Sequence, residues 1–92
     1  MAYEFNGKIA IVTGASDGLG RRISKLLSEK GAHVVGVARR EELLKELQRE
    51  IEEQNGNFSY VAADLMKNED IERVIEEVYD KFNGAEILVN NA

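Results

Sequence analysis

The apolar run Ile9-Ala10-Ile11-Val12 leads straight into Thr13-Gly14-Ala15-Ser16-Asp17-Gly18-Leu19-Gly20. A run rich in β-branched residues reads as a buried parallel strand. The glycines allow a sharp turn and let backbone approach a bulky ligand. From Leu19 onward apolar residues recur at helical spacing, so the turn delivers the N-terminus of a helix. Such a terminus offers unpaired N–H groups and a partial positive charge, which suit a phosphate. Strand, glycine turn and helix together form the phosphate-binding corner of a nucleotide fold.

The spacing of Gly14, Gly18 and Gly20 is G-x-x-x-G-x-G, not the commoner dinucleotide fingerprint G-x-G-x-x-G. A P-loop would place Lys and then Ser or Thr after its last glycine, whereas Arg21-Arg22 follow Gly20 here. Taken alone, the glycines also allow a plain strand-to-helix turn with no ligand.

Beyond this corner, strand and helix patterns alternate to the end of the chain. Lys8 to Val12 reads as the first strand, and Leu19, Ile23, Leu26 and Leu27 as one helical stripe. Lys30-Gly31 closes that helix with a cation and a glycine C-cap. Val34 to Val37 forms a second short strand, and a helix follows from Arg39 with Leu43, Leu44, Leu47 and Ile51 on one face. Its charged face, with pairs such as Glu41 and Lys45, reads as solvated surface. Asn55-Gly56 ends it, and Phe58 to Ala62 is a third strand. Asn68 is expected as the N-cap of a third helix with Glu69 and Asp70 in its first turn. Ile71, Val74, Ile75, Val78, Tyr79 and Phe82 form its stripe, Asn83-Gly84 its stop, and Ile87-Leu88-Val89 a fourth strand. The order β-α-β-α-β-α-β predicts an α/β fold, a parallel sheet with helices on its faces and right-handed crossovers.

Composition narrows the function classes. Ninety-two residues allow one small domain, 1–92, and 43% apolar with 32% charged residues fits a globular protein. A net charge of −5 argues against a nucleic-acid surface. The apolar runs are too short for a membrane span, and the absence of cysteine removes disulfides and thiolate metal sites. The expected compartment is the cytoplasm. His33, the one histidine, has no metal-ligand partner at recognisable spacing and is expected to be structural. No serine has a histidine and acid in a nucleophile setting, so hydrolase chemistry has no support.

Three separated motifs resemble the short-chain dehydrogenase/reductase family. They are Thr13-Gly14-x-x-x-Gly18-x-Gly20 after strand one, Ala63-Asp64-Leu65 after strand three, and Asn90-Asn91-Ala92 after strand four. The likeness spans the whole chain and only the first half of the family's fold. It implies a three-layer, Rossmann-like half-domain with a four-stranded parallel sheet in the order 3-2-1-4. It also implies a cofactor-binding set. Gly14, Ser16, Asp17, Gly18, Leu19 and Gly20 would surround the pyrophosphate, with Leu19 giving a backbone N–H. Asp64 would accept from the adenine amine and Leu65 would border the ring. Asn90 would touch the adenosine ribose through its backbone, and Asn91 would tie the central sheet together. Read without the resemblance, Asp64, Asn90 and Asn91 are also compatible with ordinary strand-end residues.

The end of strand two separates the two nicotinamide cofactors. An acidic residue there would accept from the 2′-hydroxyl of NAD. This chain instead has Val37-Ala38-Arg39-Arg40. Arg39, with Arg40 beside it, can offer a planar charge-assisted fork to a 2′-phosphate, so NADP is expected over NAD. The alternative is a solvated first helical turn. Asp17 is a departure, because many NADP-preferring relatives carry a basic residue there.

The family's reaction uses a tyrosine with a lysine four positions later and a serine upstream. Here the positions four after Tyr3, Tyr60 and Tyr79 hold Gly7, Asp64 and Asn83. No catalytic residue is therefore assigned. The chain is expected to be a truncated or engineered piece of an NADP-dependent oxidoreductase, or else a minimal folding and assembly module without useful ligand binding. Self-association is expected through the fourth strand, which lies at a sheet edge, and the third helix. A symmetric dimer is the expected form.

Overall fold

The computed structural model describes residues 4–91. Tyr3 and Ala92, both named above, lie outside them. Seven elements alternate along the chain: β1 (Ile9–Thr13), α1 (Gly18–Glu29), β2 (His33–Ala38), α2 (Glu41–Glu53), β3 (Asn57–Ala62), α3 (Asn68–Phe82) and β4 (Ile87–Val89). All strand pairs are parallel and the order is β3-β2-β1-β4, as expected.

Two hydrophobic layers hold the helices to the sheet. On one face Ala10, Val12, Val34 and Phe58 meet Leu44, Leu47 and Ile51 of α2, with Ile23 and Leu27 of α1 packed against them. On the other face Val35, Val37 and Val61 meet Val74 and Val78 of α3. The alternation of Val34 and Val35 on β2 between these faces is the period of a strand covered on both sides. Leu44 and Leu47 are completely buried, so truncating either to alanine would cost about 2–5 kcal/mol.

The helices differ from expectation in which residues they bury. In α1 the stripe Leu19, Ile23, Leu26 and Leu27 does not face inward as a unit, since Leu19 and Leu26 are exposed. The inward set is Gly20, Ile23, Ser24 and Leu27, with Gly20 and Ser24 buried. These positions are i, i+3, i+4 and i+7, one face of the helix. Gly20 is small because α1 runs close to the turn beneath it there. The Ser24 hydroxyl is satisfied by donating to the Gly20 carbonyl at 2.9 Å. In α3, Val74 and Val78 are buried and Phe82 packs partly buried against the same layer, while Ile75 and Tyr79 stand exposed, so the sheet leaves one side of the apolar stripe uncovered.

The helix ends follow simple chemistry. After α1, Gly31 adopts φ +99° and its N–H donates to Ser28, the glycine stop read from the sequence. After α3, Asn83 takes the left-handed conformation at φ 61°. At the start of α3 the expected cap is displaced. Lys67 holds the N-cap position, its carbonyl accepting from Asp70 and Ile71, and Asn68 is already helical. Glu69 and Asp70 do occupy the first turn.

Candidate functional site

Because the strands are parallel and in near register, their C-terminal ends align. Thr13 pairs with Val37, Ala38 with Ala62, and Val12 with Val89. The four connections that follow therefore gather at one edge of the sheet. Gly14, Ser16 and Asp17 lie in the β1–α1 turn, and Gly18, Leu19 and Gly20 form the first turn of α1. Arg39 and Arg40 lie between β2 and α2, Asp64 and Leu65 between β3 and α3, and Asn90 just after β4. Chain order reverses between β2-β1 and β1-β4, which opens a crevice at this edge where ligands of such sheets bind.

Three glycines build the corner in three ways. Gly14 has φ +62°, and any side chain on it would collide with the Asn91 backbone carbonyl. Gly18 has φ +56° and faces open space, with nothing within 4 Å of where its side chain would start. Gly20 has an ordinary helical backbone, but a methyl group there would strike the Gly14 carbonyl. Gly20 thus lets α1 approach the glycine turn itself and Asn91.

The start of α1 is open to an anion. Asp17 is its N-cap residue but makes no side-chain cap bond, and the first turn contains no acid. The leading N–H groups thus keep their capacity for an external acceptor. The same geometry leaves the Asp17 carboxylate exposed beside them.

A second network fastens the glycine turn to β4. The Asn91 N–H donates to the Thr13 hydroxyl oxygen at 2.8 Å, and the Asn91 side-chain amide reaches the Gly14 carbonyl at 3.5 Å. Thr13 in turn lies 3.3 Å from Asn90 Oδ1. The tie expected of Asn91 is therefore specifically to the glycine turn. The sequence marks Thr13 only as the head of a motif and carries no signal for the role of its hydroxyl.

On β2's side, the Arg40 guanidinium lies 3.3 Å from Glu42, whose carboxyl is held below its usual value by its own backbone N–H and by Arg40. No ion pair involves Arg39 among the described residues. The two arginines are thus unequal, and Arg39 has the more available fork. Beyond β3, Asp64 Oδ1 accepts from the Met66 N–H at 3.0 Å in a tight local turn. Among the described residues Asp64 Oδ2 has no protein partner and remains an acceptor.

Two other features lie apart from this edge. A cavity of about 660 Å³ opens at the opposite end of the sheet, near Asn6, Ser28, Asn55 and Asn57, and includes none of the candidate residues. His33 is also remote and contacts Ser59 at 2.9 Å and the Phe82 ring edge-on at 4.6 Å, consistent with a structural role. No group of acidic or histidine side chains able to hold a metal occurs among the described residues. No described helix is long and apolar enough to cross a membrane.

Known proteins share this arrangement. The chain is 44% identical over 87 residues to farnesol dehydrogenase of Aedes aegypti, covering 94% of this chain and 36% of that protein. It is 38% identical over 86 residues to fatty acyl-CoA reductase of Acinetobacter baylyi, covering 94% of this chain and 29% of that one. The structure of L-sorbose reductase from Gluconobacter frateurii, complexed with NADPH and L-sorbose, superposes with a TM-score of 0.93 at 40% identity. That match covers 100% of this chain and 35% of the reductase. The chain thus spans about a third of the length of such relatives. A model of the short chain dehydrogenase family matches residues 8–92, which include the glycine corner, the Asp64 turn and the Asn90-Asn91 strand end. With fold order, motif positions and family match in agreement, the chain belongs to the short chain dehydrogenase family.

Proposed function

We propose that this chain is an NADP(H)-binding half of a short chain dehydrogenase Rossmann domain and turns over no substrate by itself. The observation that carries the reading is Arg39. It stands at the end of β2, where an NAD-binding site would have an acid, and it is free of the ion pair that engages Arg40. When bound, NADP(H) supplies hydride-transfer chemistry. This chain's own residues supply binding and orientation at the adenosine end. The α1 N–H groups and the space beside Gly18 suit the pyrophosphate, Asp64 Oδ2 suits the adenine amine, and Arg39 suits the 2′-phosphate. Asn90 borders the ribose in the same scheme, and Leu65 borders the adenine. The cytoplasm is the proposed setting.

No Tyr-x-x-x-Lys occurs in the sequence, so no residue here is assigned to proton transfer. Titration of the chain with NADPH, NADH and ADP-ribose tests the binding claim, with NADPH expected to bind more tightly than NADH. Carbonyl reduction by the pure chain would refute the no-turnover claim.

A second reading, self-association, is favoured by one surface. Ile75, Tyr79 and Leu88 are exposed together around a groove of about 320 Å³ that also touches Ile11 and Ile87. β4 lies at the sheet edge beside it. A second copy would cover both the groove and the edge in a two-fold dimer. Sedimentation at micromolar concentration is expected to show a dimer, and Tyr79→Glu is expected to shift it to monomer. A wild-type monomer at that concentration would end this second reading and leave the first intact.

A further inference from the structure

Asp64 can receive an adenine amine only if the turn carrying it is held still. The sheet holds only its first residue, since β3 ends at Ala62 and the Ala63 N–H makes one bond, to the Ala38 carbonyl of β2 at 2.8 Å. Within it the Lys67 N–H donates to the Asp64 carbonyl at 3.0 Å and the Met66 N–H to Asp64 Oδ1. Both bonds are internal and fix the turn's shape, not its placement. Beyond that bond to β2, the placement of Asp64 comes from α3. Asp70 Oδ2 accepts from the Asp64 N–H at 2.8 Å. Arg73, one turn further along, donates to the Ala62 carbonyl at 2.7 Å and sits 3.8 Å from Asp70 Oδ1. The peptide units on both sides of Ala63 are therefore anchored to two side chains of one helix. Asp70 is also spared the usual duty of an acid at a helix start, because Lys67 is the N-cap and no side chain caps α3.

We propose that Asp70, braced by Arg73, is a positioning residue that aims Asp64 at the adenine ring and so sets the preference for that base. The inference rests on the cofactor reading above and extends it to a residue outside the binding turns. An acceptor oxygen is what the Asp64 N–H requires. An asparagine carbonyl at position 70 supplies one, and an alanine does not.

The test compares NADPH with the same dinucleotide carrying hypoxanthine in place of adenine. Hypoxanthine lacks the exocyclic amine that Asp64 would accept from. Wild-type chain is expected to prefer the adenine form by roughly tenfold, the scale of one hydrogen bond to a charged acceptor. Asp70→Ala is expected to lose most of that preference, and Asp70→Asn to retain it to within about twofold, on the same scale. Thermal unfolding of each variant reports whether it folds. If Asp70→Ala does not fold, Arg73→Ala, which frees the Ala62 carbonyl, is expected to lower the preference in its place. A full preference in the folded Asp70→Ala variant overturns the positioning role while leaving the cofactor reading standing. An equal loss in Asp70→Ala and Asp70→Asn overturns it too. Absence of any base preference in the wild-type chain overturns both the role of Asp64 and the inference built on it.

Discussion

Replacing Gly20 by alanine sets two effects of opposite sign against each other. In an exposed helix interior the change would stabilise by about 1 kcal/mol through helix propensity. Here the added methyl meets the Gly14 carbonyl and lies 2.7 Å from the Asn91 side-chain nitrogen. Overpacking of a well-filled site costs about 1–3 kcal/mol. The upper part of that range applies, because Gly14 cannot rotate away as a side chain could. Its carbonyl moves only if the turn held by Asn91 and Thr13 moves with it. The net expectation is a loss of about 1–2 kcal/mol, which for a chain of this size lowers Tm by roughly 5–15 °C. Gly18→Ala is the control. It meets nothing within 4 Å, and its cost is the left-handed backbone alone, about 1 kcal/mol. Thermal and urea unfolding of both variants decide the matter. A Gly20→Ala chain as stable as the wild type, or more so, would show that α1 does not rest on the glycine turn.

Two further predictions concern stability away from the corner. Burial lowers the His33 pKa from its ordinary 6.5, so the folded chain favours the neutral ring against Ser59 and Phe82. His33 therefore contributes full stability above pH 6.5 and loses it as pH falls through the lower folded value. His33→Asn should flatten the loss of urea-unfolding stability as pH falls below about 6.5, and an unchanged slope there would contradict this. Glu50 of α2 is gripped by Lys25 and Arg21 of α1, with the Lys25 hydrogen bond the main cause of its lowered pKa. These groups are partly exposed, so Glu50→Ala should cost about 0.5–1 kcal/mol at low salt and less at high salt, whereas a salt-independent cost would point to packing.

The residues that misled are as informative as those that did not. β4 was legible to the residue because Ile87-Leu88-Val89 is a pure apolar triplet between polar neighbours. The glycine corner was legible because its motif needs only local geometry. The buried face of α1 was not, because hydrophobicity points to Leu19 and Leu26 while contact with the turn selects Gly20, whose face also carries Ser24 inward. The Asn68 cap failed for a related reason. Lys67 has no capping side chain, and nothing local shows that Asp70 turns back to the Asp64 N–H instead. The inequality of Arg39 and Arg40 likewise depends on where Glu42 lies once α2 has formed. Side-chain and backbone contacts made only in the folded chain, not apolar patterns, set all three.

The central claim is that Arg39 reads a 2′-phosphate. Calorimetric titration of wild-type chain and Arg39→Ala with NADPH and NADH tests it directly. The substitution is expected to weaken NADPH by about 1.5–3 kcal/mol, or roughly tenfold or more, as for a hydrogen bond to a charged group. NADH should be nearly unaffected. Equal weakening of both dinucleotides, or no difference between them in the wild-type chain, would contradict the account.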